Sequence, residues 1–207
     1  MRQLYGRYLA AQCLLERKHY DECVKVLRDN DANDEADAQY LPRAFGANES
    51  PHESGAQRQR LLAQVCLVRG RAFVGVETRL RGIYWLRRAL QLDPHCSEAF
   101  AVLCERRMLS AHSEARLCDA LCAALTAPHD AWLRDFYIAS MQREGAVSAR
   151  ADANARRAVS ALVAQHALER STDVLAARAQ AALALHEYET AAQLAARARL
   201  FDPQPDR

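Results

Sequence analysis

Residues that build β-strands have nowhere to gather in this sequence. Val, Ile and Thr form few runs and aromatic residues make up only 7% of the chain, so strands have little to be made from. Seven glycines and six prolines in 207 residues leave long uninterrupted stretches of strong helix formers. Lysine is nearly missing, at Lys18 and Lys25 alone; the other basic residues are arginine, a bias that carries no functional weight by itself. No apolar run approaches the ~20 residues of a membrane span. GxSxG, HExxH, GxGxxG and CxxC are also missing, so the usual signatures of hydrolases, zinc proteases, dinucleotide enzymes and zinc ribbons have no foothold. Neither an enzyme nor a cofactor is expected.

What is present is alanine, leucine and balanced charge. Half the residues are hydrophobic, and all-α is the natural fold class. The 28 basic and 26 acidic residues leave a net charge of +2, which gives no global field for nucleic acid. The seven cysteines are odd in number and mostly sit beside apolar residues, as reduced thiols packed like small hydrophobes do. The opening "MRQLYGRYLAAQCLL" has no acid before Glu16 and faintly resembles a mitochondrial presequence, but it reads better as the first helix of a repeat.

Along the chain, residues 4–28 read as two helices with a break at "ERKHYDE". The polar stretch 29–57 reads as a long insert with an apolar island at Tyr40, Leu41 and Phe45; loops of that length are functional or disordered. Helices are predicted at Arg58–Gly75, Thr78–Leu92, from Ser97, at 111–125 and at 130–143, with two or three more over 153–201. "REGAVSARADAN" reads as a linker. The helix before Pro94 ends at Asp93 because proline disfavours a helical residue ahead of it.

Two helix endings echo each other: "RRALQLDP" at Arg87–Pro94 and "ARARLFDP" at Ala196–Pro203. Each fits a tetratricopeptide repeat, a 34-residue helix pair with small and large residues at fixed places and a closing proline. Counting back from Pro94 puts Cys66, Gly70, Phe73, Gly82, Leu86 and Ala89 on their places, with Arg69 the misfit. Counting from Pro203 gives Leu175, Ala179, Ala182, Ala191, Ala195 and Ala198, with Arg178 misfitting likewise. The first helices fit too, with Ala11, Leu14, Tyr20, Cys23 and Leu27. Repeats are expected near 4–30, 63–96, 97–125, 130–165 (irregular) and 172–205, forming one superhelix over 1–207.

In such a repeat, helix A lines a groove that holds a peptide, a helix or a second copy of the chain. The groove-facing places are Gln64, Leu67, Arg71, Val74 and Gly75 in one repeat, and Glu98, Ala101, Glu105 and Met108 in the next. Mixed charge at Arg71 and Glu105 suits self-pairing better than a uniformly anionic ligand. The arginines Arg79, Arg81, Arg87 and Arg88 spread around their helix and lack the aromatic platforms of a single-strand binder. His112, Cys118, Cys122 and His129 suggest zinc, but Cys118 and Cys122 share the apolar spacing of Leu117, Leu121 and Leu125, and packing is the better reading. Gly70 and Gly75 mimic the ends of a phosphate loop, yet Val76-Glu77 stands where lysine and a hydroxyl would be required.

The run "VCLVRGRAFVGVETRLRGIYWLRRALQLDPHCSEAFAVLCERRMLSAHSEARLCDAL" resembles the N-terminal half of the cell-division-cycle-sixteen (subunit six) family of the anaphase-promoting complex. The carriers are "CLVRG" opening helix A, "ALQLDPHCSEAF" between two repeats and "MLSAHSEARL" beyond the third helix. "RYLAAQCLLERKHYDECVKVL" is similar to that family's first repeats, and the insert falls in the same place. The resemblance implies a non-catalytic scaffold of a ubiquitin ligase in the cell cycle, found in nucleus and cytoplasm. It also implies homodimerisation through N-terminal repeats and contacts with other subunits, with no nucleic acid, membrane or small-molecule substrate. Family members are longer, so this chain is expected to be an N-terminal part, without the C-terminal repeats that hold a small acetylated accessory subunit. The alternative is a monomeric tetratricopeptide adaptor gripping a partner's peptide.

Overall fold

The structure is a computed structural model that describes residues 2–27, 53–141 and 149–201. The described residues form α-helices without strands: α1 (Arg2–Glu16), α2 (Tyr20–Leu27), α3 (Glu53–Gly75), α4 (Arg79–Leu92), α5 (Ser97–Glu105), α6 (Ala111–Ala124), α7 (Ala131–Ser140), α8 (Ala149–Ala164), α9 (Thr172–Ala184) and α10 (Tyr188–Phe201). α3 starts at Glu53, inside the stretch assigned to the insert; Tyr40, Leu41, Phe45 and Pro203 lie outside the described residues.

Four links between helices share one geometry. At Lys18, Glu77, Arg107 and His186 the backbone is left-handed, with φ of 62°, 61°, 47° and 61°. Each of these N–H groups donates three residues back, to Leu15, Val74, Cys104 and Leu183. The next N–H donates five residues back: His19 to the Leu14 carbonyl, Thr78 to Phe73, Met108 to Leu103 and Glu187 to Ala182, all at 2.9 Å. This pair of bonds is the Schellman ending, which satisfies the orphan carbonyls of the helix. Glycine is the usual occupant of the left-handed place. Here charged or polar side chains stand there, and the shared geometry puts α1/α2, α3/α4 and α9/α10 in a common register.

The α3/α4 pair shows why its glycines are small. A β-carbon on Gly70 would stand 2.8 Å from Leu86 Cγ and 3.1 Å from the Leu86 backbone nitrogen; one on Gly82 would stand 2.9 Å from Val74 Cγ2. The helices therefore touch backbone to side chain at both crossings, and Leu86, Ala89 and Leu90 are fully buried between them. α4 stops as expected: Asp93 is extended, at φ −141° and ψ 105°, and its carboxylate accepts from the His95 N–H at 2.9 Å. α5 begins one place from expectation, with Cys96 rather than Ser97 at the cap.

Contacts divide the chain into two compact units, Met1–Ser110 and Ala111–Arg207. The expected helix pair 97–125 is thereby split. α5 is only nine residues long, and its buried Ala99, Phe100, Leu103 and Cys104 serve the first unit, where α5 packs on α4 and α3. In that unit Ala11, Leu15, Cys23 and Leu27 of α1/α2 form a core with Val68 and Ala72 of α3. In the second, Ala139, Ala158, Val159, Leu162 and Val174 tie α7, α8 and α9 together, while Leu175, Ala179 and Leu194 join α9 to α10.

Candidate interaction surface

In the first unit α3 packs against both α1 and α5, so three A-type helices stand side by side. Arg71 and Glu98 are exposed and span two of them, with Nη1 3.9 Å from Oε2. An exposed pair at that distance contributes little to stability, which leaves both charges open to a partner. Gln64, Val74 and Ala101 are half-buried nearby in the register, and Glu105 is exposed at the end of α5. Val74 is held by its contact with the Gly82 seat, and Gly75 forms the seat of the Tyr20 ring.

Two of the groove candidates are not surface residues. Leu67 is 2% exposed and belongs to the core of the first unit. Met108 is buried because α5 ends at Glu105; Met108 lies beyond the turn and its Cε comes within 3.2 Å of a β-carbon placed on Gly82. Counting from Ser97 overshot the end of a short helix. Of the repeat-defining residues, Gly70, Phe73, Gly82, Leu86, Ala89, Ala179 and Ala191 are buried, while Pro94 and Ala198 are half-buried.

The structure adds two residues that sequence reasoning passed over. Tyr5 is exposed and Tyr8 half-buried on α1, with ring centroids 6.3 Å apart. Burial pushes the Tyr8 phenol above its ordinary value, and the charge of Glu98 pushes the same way, so Tyr8 shares surroundings with the Arg71–Glu98 pair. Counted from their shared left-handed turns, Tyr5 and Tyr8 occupy on α1 the places of Gln64 and Leu67 on α3; that equivalence was the signal available in the sequence. The misfit Arg69 is buried with its guanidinium 4.0 Å from the centre of the Trp85 ring, a cation–π contact that accommodates it on an apolar face.

Burial raises the thiols of Cys23 and Cys66 to about 11 and that of Cys96 to about 12, which keeps them protonated and inert at neutral pH. The described residues contain no group of three His, Cys, Asp or Glu placed to hold a metal, and no helix of theirs is long and apolar enough to cross a membrane. What the surface offers is a mixed face of tyrosines and opposite charges on close-packed helix pairs.

The fold is that of a tetratricopeptide-type helical-repeat protein. A solved structure titled as the anaphase-promoting complex hetero-tetramer Cut9–Hcn1 matches 97% of this chain and 34% of its own, with a TM-score of 0.64 at 22% identity. No family model matches the chain. In sequence it is similar to anaphase-promoting complex subunit 6 of Arabidopsis thaliana, 31% identical over 137 residues, which are 66% of this chain and 24% of that protein. It is also similar to the cell division cycle protein 16 homologs of Mus musculus and Homo sapiens, each 29% identical over 116 residues, 56% of this chain and 19% of theirs. The chain thus spans a quarter or less of the curated relatives it matches. Within that span its resemblance to the subunit-six type of repeat protein holds in sequence and in fold.

Proposed function

We propose that the chain is a non-catalytic scaffold, the homodimerising N-terminal repeat region of an anaphase-promoting complex subunit, working in nucleus and cytoplasm. The observation that carries the self-pairing is the Arg71–Glu98 pair on exposed neighbouring helices. In a two-fold dimer residue i meets j and j meets i, so Arg71 of one copy faces Glu98 of the other, with Tyr5 and Tyr8 beside them as amphipathic anchors. Similarity to subunits named for the anaphase-promoting complex supports the larger assembly.

Light scattering on the purified chain, with charge-swapped variants, tests the dimer. Arg71→Glu is expected to weaken it by facing Glu98 with a like charge, and Arg71→Glu/Glu98→Arg to restore it. A strict monomer would instead favour an adaptor gripping a partner's peptide. Co-purification with other complex subunits tests the assembly.

A further inference from the structure

Cys118 and Cys122 lie on α6, inside the second unit, and a spacing of four residues puts both on one face of that helix. Cys118 is 2% exposed, while Cys122 is only half-buried. The Cys118 thiol donates a hydrogen bond to the Cys122 sulfur, so the inner thiol is turned toward the outer one. The other cysteines lack this combination. Cys66 and Cys96 lie close enough for their charges to interact, but both are buried. Cys13 is exposed and has no second cysteine on its own helix.

The surroundings of Cys122 favour a nucleophile. The hydrogen bond from Cys118 does most to hold its thiol below the ordinary value of 9.0; burial and the charges of Asp119 and Asp135 oppose this, and the Arg134 guanidinium assists it. Arg134 is pinned in place: from α7 its Nη1 donates to the Leu125 carbonyl at 2.6 Å, just past the end of α6. A half-open thiol beside a guanidinium, with a second thiol in contact, is the arrangement found in oxidation-sensitive cysteines.

We infer that Cys122 and Cys118 form an oxidation site for hydroperoxides, in which Cys122 is the attacking sulfur and Cys118 the resolving one. The Cys122 thiolate attacks one peroxide oxygen: an S–O bond forms, the O–O bond breaks, and the other oxygen leaves as water or an alcohol after taking a proton. The Cys118 sulfur then attacks the sulfenic sulfur: an S–S bond forms, the S–O bond breaks, and hydroxide leaves with the Cys118 proton as water. The two thiols lose two electrons and one hydroperoxide gains them. Closure strains the helix, because β-carbons four residues apart stand about 5–6 Å from each other and a disulfide needs about 3.5–4.5 Å. α6 stops at Ala124, so its last turn is the part that yields, carrying the buried Leu121 and Leu125. The site shares no residue with the Arg71–Glu98 pairing and does not depend on the scaffold reading.

Peptide mass spectrometry on the full chain, treated at neutral pH with a small excess of hydrogen peroxide and then alkylated, tests it. Trypsin releases Leu117–Arg134, which holds Cys118 and Cys122 and no other cysteine. That peptide is expected to become two hydrogens lighter and closed to alkylation, at least about tenfold faster than Cys23 or Cys66 is modified, and dithiothreitol should reopen it. In Cys118→Ser and Cys118→Ala, Cys122 should stop at the sulfenic acid and be trapped by dimedone. In Cys122→Ser, Cys118 should oxidise no faster than Cys23, with circular dichroism confirming that the variants remain folded. A peptide that stays open in the wild-type chain, one that closes no sooner than Cys23 reacts, or a Cys118 that oxidises equally fast without Cys122 would each overturn the inference.

Discussion

The helix pairs α3/α4 and α9/α10 run into Gln-Leu-Asp-Pro and Leu-Phe-Asp-Pro and turn through the same left-handed corner, yet they are filled differently. In α3/α4 a glycine faces a leucine, Gly70 against Leu86, and the leucine is wholly buried. In α9/α10 both places are alanine, with Ala179 buried and Ala195 exposed. The first pair pits large against small and gains a deep contact; the second pits small against small and gains a shallow one. The corner and the helix stop define the repeat, while the glycine–leucine exchange sets how firmly the helices of a pair hold together.

The sharpest way to break the comparison is to overfill or charge each pair in turn. Leu67→Glu, which the sequence alone would offer as a dimer-splitting surface change, places a carboxylate in the first unit's core and is expected to cost at least about 3 kcal/mol. Trp85 fluorescence in a Trp132→Phe background should report that loss from the first unit by itself. Retained stability would return Leu67 to the surface. Gly70→Val drives a side chain into Leu86 and its backbone and should cost about 1–3 kcal/mol, whereas Ala179→Val, opposite an exposed alanine, should cost under about 1 kcal/mol. Equal losses would end the distinction between the pairs. Hydrogen exchange follows the same order, since local opening tracks buried contact: amides of α10 should exchange well before those of α4.

The left-handed corners predict smaller effects of the opposite sign. Glu77→Gly and His186→Gly relieve a backbone that side chains rarely adopt, offset by the added freedom of the unfolded chain, for a net gain of about 0.5–1 kcal/mol each. Denaturant midpoints check this, and a loss at either corner would mean that its side chain does more than fill the turn.

Thiol chemistry separates the two units by pH. In the first, burial raises Cys23 and Cys66 to about 11 and Cys96 to about 12 from an ordinary 9.0. The fold favours their neutral form, so their stabilisation is whole below about pH 9 and is lost as pH rises through 11 to 12. In the second unit Cys122 is lowered, chiefly by a hydrogen bond from Cys118, so its contribution runs the other way and falls away as pH drops. Alkylation at neutral pH should therefore reach Cys122 before Cys23, Cys66 or Cys96, read by peptide mass spectrometry. The reverse order would contradict the assigned burial.

Much of this was legible in the residues. Pro94 announced the end of α4, and Gly70 and Gly82 marked the crossing of α3 and α4, because no larger residue fits there. The corners were harder to see, since Lys18, Glu77, Arg107 and His186 occupy places where glycine would have signalled the turn. Leu67 and Met108 were misplaced for separate reasons. A leucine at a groove place rolled into the core, and α5 proved one turn shorter than the repeat length implied. Tyr5 and Tyr8 became visible only once the corners aligned α1 with α3, and the boundary after Ser110 has no marker in composition.

Light scattering on the wild-type chain beside Arg71→Glu and Arg71→Glu/Glu98→Arg tests the scaffold account most directly. The account predicts a dimer at low concentration, its loss on the single substitution and its return on the double. A wild-type monomer, or a dimer indifferent to both substitutions, would contradict it.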